Sequence, residues 1–253
     1  MDYRLLGSTG LRVSPLCYGT MSFGGDADEA TSAAMFKRCR DAGLNFFDCA
    51  NVYQKGVAEE ILGRLIAGHR HELVITTKAG FKMSDLPNEQ WLSRKNILLS
   101  CEQSLKRLKT DYVDIFFCHR FDPATPIEES LRALEDLRRQ GKILYPAVSN
   151  WSAWQTMKGL QVDKELGFAK ITCLQPMYNL IKRQCEVEIL PMAQTEKIGV
   201  ISYSPLAAGM LTGKFRNSGI TAGARLADNP MYVARYSEES YLRDANRFAD
   251  YAD

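Results

Sequence analysis

Four polar residues, Asp48, Tyr53, Lys78 and His119, have the types that proton transfer to a carbonyl oxygen requires. Reduction of a carbonyl group creates an alkoxide, which needs a nearby proton donor and positive charge or hydrogen bonds around the developing oxyanion. A free tyrosine, with a pKa near ~10, is a poor acid at neutral pH, and an adjacent ammonium lowers that pKa. Lys78 is the candidate ammonium, Asp48 would keep it charged and oriented, and His119 could bind the substrate oxygen or share in proton delivery.

Each of these residues also has an ordinary interpretation. Asp48 and Lys78 could form an ion pair that only stabilises the fold, Tyr53 could be a surface tyrosine, and His119 a histidine with its hydrogen bonds satisfied. For any one residue taken alone, the ordinary interpretation is favoured. The catalytic interpretation depends on the four occurring together.

Three of the four residues close short apolar runs. Asp48 ends the run at 45–48, Lys78 the run at 73–78 and His119 the run at 112–119. These runs have the length and the β-branched or aromatic content of buried strands, and each is followed by a helical pattern. We therefore expect charged groups to gather at one rim of an α/β barrel, the rim where such barrels carry out chemistry.

Strand and helix patterns alternate along the chain, which implies right-handed crossovers and a parallel sheet. The length of 253 residues suits one barrel, so we predict a single domain over 1–253 with an α/β fold of the (β/α)8 TIM-barrel type. Segments 3–5 and 11–13 predict an N-terminal β-hairpin at the bottom of the barrel. The predicted strands are 15–18, 45–47, 73–77, 112–118, 143–148, 171–174 and 199–203, and the predicted helices are 27–42, 57–67, 94–108, 127–140, 153–166, 188–196 and 238–252.

The last part of the pattern departs from a full barrel. Residues 212–237 contain three glycines and Pro230 with little periodicity, which predicts a long loop, and we treat it as a lid only as a hypothesis. A helix then ends the chain without an eighth strand. The sequence predicts either that the last β/α unit is missing from this chain or that something else closes the barrel.

Charge and cysteine content argue against several classes of protein. The 32 basic and 30 acidic residues give a net charge of +2 without a basic patch, which argues against a nucleic-acid or membrane partner. No signal peptide is apparent, and no apolar stretch approaches the roughly 20 residues of a membrane helix. Seven cysteines without a C-x-x-C pair argue against disulfides and a zinc site, and His69 and His71 are better explained by a surface turn. We expect a cytoplasmic protein that acts on small molecules without a metal.

Several motifs, taken in order, resemble those of the aldo-keto reductase family along nearly the whole chain. They are LLGSTGL at 5–11, GTM at 19–21, NFFDCANVY at 45–53, TTK at 76–78, LKRL at 105–108, DYVD at 111–114, and His119 followed by Asp122 and Pro123.

The resemblance implies a function and a set of site residues. Asp48, Tyr53, Lys78 and His119 would be the catalytic tetrad of an enzyme that reduces aldehydes or ketones to alcohols with NADPH, which becomes NADP+, and Tyr53 would be the general acid. Some contacts would be to the nicotinamide and others to the pyrophosphate, which the segment 202–214 would cover. The implied cofactor-binding residues are Gly19, Thr20, Met21, Asp48, Ser149, Asn150, Gln175, Tyr203, Ser204, Pro205, Leu206, Gly209, Leu211 and Lys214.

Some positions depart from the family pattern. Gln54 stands where glycine is usual, and Cys49 stands where threonine is commoner, either as an inert packing group or as an oxidisable thiol. The family's adenosine-phosphate site lies mainly after the eighth strand, so the preference for NADPH over NADH follows from the resemblance alone. Arg120 could attract an anionic substrate or form a salt bridge with Asp122.

Two other functions remain open at this point. The chain could be a regulatory or binding subunit that senses nicotinamide nucleotides with little turnover, since some proteins resembling the family regulate channels. It could also be a fragment that keeps the tetrad but has lost cofactor affinity. The identity of the carbonyl substrate and homo-oligomerisation are left open by the sequence.

Overall fold

Seven parallel strands form one sheet, and each strand pairs with its neighbours in chain order, from Tyr18–Gly19 to Gly199–Val200. The structure is a computed structural model that describes residues 1–216 and 218–252. Two further strands, β1 and β2, form an antiparallel hairpin with Arg4 opposite Val13. The strands are β1 (Arg4–Leu5), β2 (Arg12–Val13), β3 (Tyr18–Gly19), β4 (Phe46–Asp48), β5 (Val74–Ala79), β6 (Val113–Cys118), β7 (Ile143–Ser149), β8 (Cys173–Gln175) and β9 (Gly199–Val200).

Helices connect the strands, and side-chain caps begin several of them. Ser152 and Gln155 form a capping box at the start of the helix Ala153–Leu166, and the Ser93 side chain accepts a hydrogen bond from Asn96 N at the start of the helix Arg94–Leu108. The helices are α1 (Glu29–Asp41), α2 (Val57–Leu65), α3 (Arg94–Leu108), α4 (Ile127–Arg139), α5 (Ala153–Leu166), α6 (Ile189–Thr195), α7 (Arg225–Asp228), α8 (Pro230–Arg235) and α9 (Glu239–Ala252). Short 3₁₀ helices occur at Tyr53–Gly56, Arg70–Glu72, Gln184–Glu186 and Ala207–Thr212.

The predicted fold class is confirmed: the chain has an α/β fold of the TIM-barrel type with an N-terminal hairpin and seven parallel strands in the described residues. The predicted loop at 212–237 is wrong, since α7 and α8 lie within it. Pro230 was one reason for the loop prediction, yet it occupies the first turn of α8, where proline is tolerated. The Asn229 side chain caps that helix by accepting a hydrogen bond from Met231 N at 3.1 Å.

The described chain divides into two compact units, each with its own contacts. The first consists of residues 1–175 and 192–201 and contains the hairpin and the whole sheet. The second consists of residues 176–191 and 202 onwards and contains α7, α8 and α9. The prediction of one domain over 1–253 stays a prediction.

Strand alternation places the core and the candidate site on the same face of the sheet. Asp48 lies two residues after Phe46, and Lys78 lies four residues after Val74, so each pair projects from one face. Phe46 and Val74 belong to a buried cluster that extends along this face to Phe117, the register partner of Lys78. That cluster comprises Leu6, Val13, Phe46, Val74, Ile115, Phe117, Ala147, Cys173 and Ile201.

The hairpin joins this cluster through Leu6 and Val13, and its turn lies against the start of β9. Gly7 adopts a left-handed conformation with a φ of 55°. A Cβ atom at Gly7 would lie 2.4 Å from Gly199 N and 2.8 Å from Lys197 O, both of which are backbone atoms that cannot rotate away. Only glycine fits this contact without displacing the hairpin.

We predict that Gly7→Ala lowers the free energy of unfolding by about 1–3 kcal/mol, because it combines backbone strain with a steric clash. Urea unfolding followed by circular dichroism measures the change. Gly10→Ala is the matched control in the same turn, because a Cβ atom there would meet nothing within 4 Å. Equal stability of the two variants would contradict the proposed packing of the hairpin.

Asp163, near the end of α5, is a buried carboxylate outside the candidate site. Its side chain is 3% exposed, and Oδ2 accepts a hydrogen bond from Ile171 N at 2.9 Å. Burial raises the pKa of Asp163 to about 7, although the Ile171 hydrogen bond opposes the shift. The folded protein therefore keeps a proton on Asp163 in a pH range where the unfolded chain has lost it.

Because the folded pKa is the higher one, the stabilisation from this proton is complete below about pH 4 and is lost as the pH rises to about 7. Asp163→Asn removes the titration and retains an oxygen for Ile171 N. We predict that the stability of the wild type relative to this variant falls by about 1–3 kcal/mol between about pH 5 and about pH 8. Asp85→Asn, at a fully exposed side chain, is the control. Parallel stability curves for the wild type and Asp163→Asn would exclude this titration.

Candidate active site

A buried ion pair between Asp48 and Lys78 forms the centre of the candidate site. Lys78 Nζ lies 2.6 Å from Asp48 Oδ2, and the Lys78 side chain is fully buried. The parallel register of β4 and β5 places Asp48 beside Thr76, two residues before Lys78 on the same face. Thr76 Oγ1 and Gln175 Nε2 donate to Asp48 Oδ1 at 2.6 and 2.9 Å. Both carboxylate oxygens are therefore satisfied, as a buried charge requires.

The Lys78 ammonium uses all three of its donors within the protein. Besides Asp48 Oδ2, it donates to Cys49 O at 2.7 Å and to Tyr53 OH at 3.4 Å. An ammonium has three donors and no acceptor, so the Tyr53 oxygen must be the acceptor in the last contact. The Tyr53 hydroxyl hydrogen is therefore available to another acceptor.

Tyr53 reaches Lys78 because of the unusual backbone that follows it. Gln54, Lys55 and Gly56 have φ angles of 48°, 52° and 99°, all in the left-handed region. Glycine adopts this conformation readily and other residues at a cost, which explains why a glycine would suit the position of Gln54. The turn leads into α2 and leaves the Tyr53 ring 5.0 Å below the Lys78 ammonium.

The acidity of Tyr53 differs from the sequence-based expectation. Burial raises the pKa of Tyr53 to about 12, and the Lys78 charge opposes this rise without reversing it. Burial alone would lower the pKa of Lys78, but Asp48 and Tyr53 outweigh it and raise that pKa above its usual value. Asp48 therefore keeps Lys78 charged, and at the same time its negative charge offsets the effect of Lys78 on Tyr53.

His119 lies at the edge of this group as a neutral imidazole. Its ring centroid is 6.0 Å from that of Tyr53 and 4.6 Å from that of Phe81. Burial, together with the charges of Lys78 and Arg120, holds the pKa of His119 well below its usual value. Nδ1 is buried and has no hydrogen-bond partner among the described residues. Because buried polar atoms in proteins are normally hydrogen-bonded, this nitrogen is a candidate contact for a ligand atom.

Ser149, Asn150 and Gln175 lie together at the carboxyl ends of β7 and β8. Ser149 Oγ donates to Gln175 O at 2.8 Å, and Asn150 Nδ2 donates to Ser149 Oγ at 3.0 Å and to His119 O at 2.9 Å. Gln175 also contacts Asp48, so these amides adjoin the ion pair. Amide and hydroxyl groups in this position fit the carboxamide of a nicotinamide, which both donates and accepts hydrogen bonds.

The predicted residues at the end of β3 also adjoin Asp48. Thr20 is fully buried, and its N and Oγ1 atoms donate to Asp48 O at 2.9 and 3.0 Å. Gly19 is exposed, and a Cβ atom there would meet nothing within 4 Å. Met21 is partly buried in the turn that follows.

The other predicted cofactor residues lie in the second unit, in and after a turn that follows β9. Ser204, Ala207, Ala208 and Gly209 all have positive φ angles, between 49° and 94°. Within this turn, Ala207 N donates to Ser204 O and Gly209 N donates to Leu206 O, each at 2.9 Å, so these two N–H groups are used inside the turn. A Cβ atom at Gly209 would lie 2.8 Å from Lys214 Nζ, so glycine allows the lysine to approach. The other predicted residues of this segment are Tyr203, Pro205, Leu206 and Leu211, of which Leu211 is buried.

Two residues of the site were missed by sequence reasoning. Thr76 orients Asp48, and strand alternation from Lys78 would have found it. Asn51 is 1% exposed, its N atom donates to Lys78 O at 3.2 Å, and its Oδ1 lacks a partner among the described residues. Cys49 is fully buried and burial raises its pKa, which favours the inert role over the oxidisable one.

Residues 1–216 and 218–252 contain no group of three or more His, Cys, Asp or Glu side chains that could hold a metal ion. No helix in the same ranges is long and apolar enough to cross a membrane.

Comparison with known proteins identifies the family of this chain. The profile of the aldo/keto reductase family matches residues 15–245. A probable voltage-gated potassium channel subunit beta of Oryza sativa is 43% identical over 90% of this chain and 70% of its own length. An uncharacterized oxidoreductase of Bacillus subtilis is 40% identical over 93% of this chain and 75% of its own length. The L-glyceraldehyde 3-phosphate reductase of Escherichia coli K12 is 40% identical over 89% of this chain and 67% of its own length. The chain therefore belongs to the aldo/keto reductase family.

Proposed function

We propose that this protein is a cytosolic NADPH-dependent reductase that converts aldehydes or ketones to alcohols, with Tyr53 as the general acid. The observation that carries the proposal is the saturated Lys78 ammonium, which holds the Tyr53 oxygen and leaves its hydrogen available to a substrate. Relatives named as an oxidoreductase and a reductase support turnover.

In this mechanism the carbonyl oxygen of the substrate lies between Tyr53 and His119. The Tyr53 hydroxyl donates a hydrogen bond to that oxygen and transfers its proton as the alkoxide forms. The resulting tyrosinate is stabilised by Lys78, whose charge Asp48 maintains. Neutral His119 offers one donor nitrogen and so adds a second hydrogen bond to the oxyanion.

The side chains at the ends of β7 and β8 fit the nicotinamide end of the cofactor. When bound, NADPH supplies a hydride to the carbonyl carbon. Ser149, Asn150 and Gln175 would bind the carboxamide, and Gly19, Thr20 and Met21 would border it. The family resemblance implies that Tyr203 would contact the nicotinamide ring. The pyrophosphate would be bound by Ser204, Pro205, Leu206, Gly209, Leu211 and Lys214.

A second candidate function is favoured by one comparison. The relatives from rice and Arabidopsis thaliana are named as probable potassium channel beta subunits, at 43% and 41% identity. A regulatory subunit that senses nicotinamide nucleotides would need the same cofactor contacts and little turnover. Binding and turnover measured separately distinguish this subunit from the reductase.

We predict that Tyr53→Phe lowers kcat/KM for aldehyde reduction by about 10²–10⁴-fold, because it removes the proton donor. Oxidation of NADPH is followed with a panel of small aldehydes and ketones, with NADH as a second donor. Fluorescence titration measures the affinity of the wild type and of Tyr53→Phe for NADPH and so tests cofactor binding separately from turnover. Tyr18→Phe is the control, since that hydroxyl lies 3.1 Å from Met35 Sδ on α1.

Each result of this comparison decides between the functions. Undiminished turnover in Tyr53→Phe would exclude Tyr53 as the acid. Tight NADPH binding without turnover of any carbonyl in the wild type would favour the sensing subunit. The absence of both binding and turnover would mean that this chain lacks a working cofactor site.

We also predict that kcat/KM for a neutral aldehyde is flat between about pH 6 and about pH 9. The pKa of Tyr53 is raised to about 12, so the acid keeps its proton as the pH rises through this range. The pKa of His119 is lowered, so the imidazole is neutral throughout. Initial rates in buffers of constant ionic strength provide the test. A step near ~6.5, the usual pKa of histidine, would show that His119 titrates and contradict its assignment as a neutral donor.

A further inference from the structure

Arg120 follows His119 and has a cationic group without an acidic partner. No carboxylate in the described part of the chain forms a salt bridge with it, and the possible pair with Asp122 does not form. Asp122 instead accepts hydrogen bonds from Leu92 N, Ala124 N and Thr125 Oγ1, at 2.9, 2.9 and 2.6 Å. These bonds organise the loop after β6 and leave the Arg120 charge without compensation.

Two aromatic rings hold the guanidinium in place. Its carbon lies 4.3 Å from the centroid of Trp91 and 5.2 Å from that of Phe81. Trp91 N donates a hydrogen bond to Gly80 O at 2.9 Å. The Arg120 side chain also passes close to Gly80, since a Cβ atom at that glycine would lie 3.6 Å from Arg120 Cγ. Stacking on aromatic faces orients an arginine and leaves its N–H edge available for a planar anion.

This cation belongs to the surroundings of the candidate active site. Phe81 contacts both the Arg120 guanidinium and the His119 ring, and the Arg120 charge is one of the causes that lower the His119 pKa. His119 Nδ1, buried and without a partner in the described chain, lies in the same group. An uncompensated cation beside a site for a neutral carbonyl group favours substrates with an anionic substituent.

We propose that Arg120 is a specificity-determining residue that binds a carboxylate or phosphate group of the carbonyl substrate, while Trp91 and Phe81 position its guanidinium. This inference rests on the proposed reductase function. The alternative is that Arg120 only packs on the two rings, in which case its loss would affect all substrates equally.

The test compares substrates that differ only in charge, with the full chain and NADPH. Succinic semialdehyde is paired with butanal, and glycolaldehyde phosphate with glycolaldehyde. We expect the wild type to prefer the anionic member of at least one pair. We expect the ratio of kcat/KM values within that pair to fall about 10- to 100-fold in Arg120→Gln and less in Arg120→Lys, which keeps the charge but not the two-pronged hydrogen bonding.

Arg132→Gln is the matched control, since the Arg132 guanidinium also lies over an aromatic ring, that of Phe168 at 5.2 Å, but on α4. The pair that responds identifies the anion as a carboxylate or a phosphate. A wild type without preference, or an unchanged ratio in Arg120→Gln, would overturn the proposal even if neutral aldehydes are reduced.

A binding measurement covers the case in which no carbonyl is reduced and the proposed function itself fails. Succinate and inorganic phosphate are titrated while Trp91 fluorescence is followed, with Trp91→Phe as the spectroscopic control. Saturable quenching in the wild type that weakens with salt and is lost in Arg120→Gln would support the anion site. No quenching, or quenching that Arg120→Gln retains, would overturn it. If Arg120→Gln does not fold, Arg120→Met, which also removes the charge, replaces it in both experiments.

Discussion

The buried ion pair between Asp48 and Lys78 is the constraint on which the rest of the site depends. An ammonium that is fully removed from water is stable only when an opposite charge and further acceptors replace its hydration. Asp48, Cys49 O and Tyr53 provide these groups, and Thr76 and Gln175 fix the carboxylate in turn. Loss of one member of such a pair typically costs about 3–5 kcal/mol, because the other charge stays buried. The position of Tyr53 thus follows from a requirement of stability as well as of chemistry.

Successive side chains of a strand point to opposite faces of the sheet, so β5 contributes residues to both faces. Thr76 and Lys78 contribute to the site, and Thr77, which lies between them, points to the helices. There it donates a hydrogen bond to Glu59 of α2, which also pairs with Arg107 of α3 at 2.7 Å. This ion pair, in which Glu59 is fully buried and Arg107 is partly exposed, therefore links the two helices to the strand that carries Lys78. Through the consecutive residues Thr76, Thr77 and Lys78, the packing of the helices on one face is coupled to the orientation of the site's side chains on the other face.

The sequence was sufficient for the order of the seven parallel strands and the helices between them, because apolar periodicity and chain order depend on local residue types. The catalytic roles of Asp48, Tyr53, Lys78 and His119 stay predictions. The sequence was insufficient where tertiary contacts decide. Pro230 looks like a breaker until Asn229 is seen to cap a helix in front of it. An adjacent lysine should lower the pKa of Tyr53, and only the structure reveals that Asp48 compensates that charge while burial raises the pKa. Arg120 had two interpretations, and in the described residues Asp122 accepts hydrogen bonds from Leu92 N and Thr125 Oγ1 and forms no ion pair with Arg120.

The charge balance of the site has a consequence for how it could stabilise an oxyanion. Lys78 has no donor left for a substrate, and its charge is matched by Asp48. In the proposed reaction, the groups that face the carbonyl oxygen would therefore be the neutral hydroxyl of Tyr53 and the neutral ring of His119. A raised Tyr53 pKa suits this arrangement, because a weak acid keeps its proton until the far more basic alkoxide develops. Positive charge without a partner then remains at Arg120, beside the site and not at the reacting oxygen. Transfer of the proton and selection of the substrate by its charge would accordingly be assigned to different residues of the same rim.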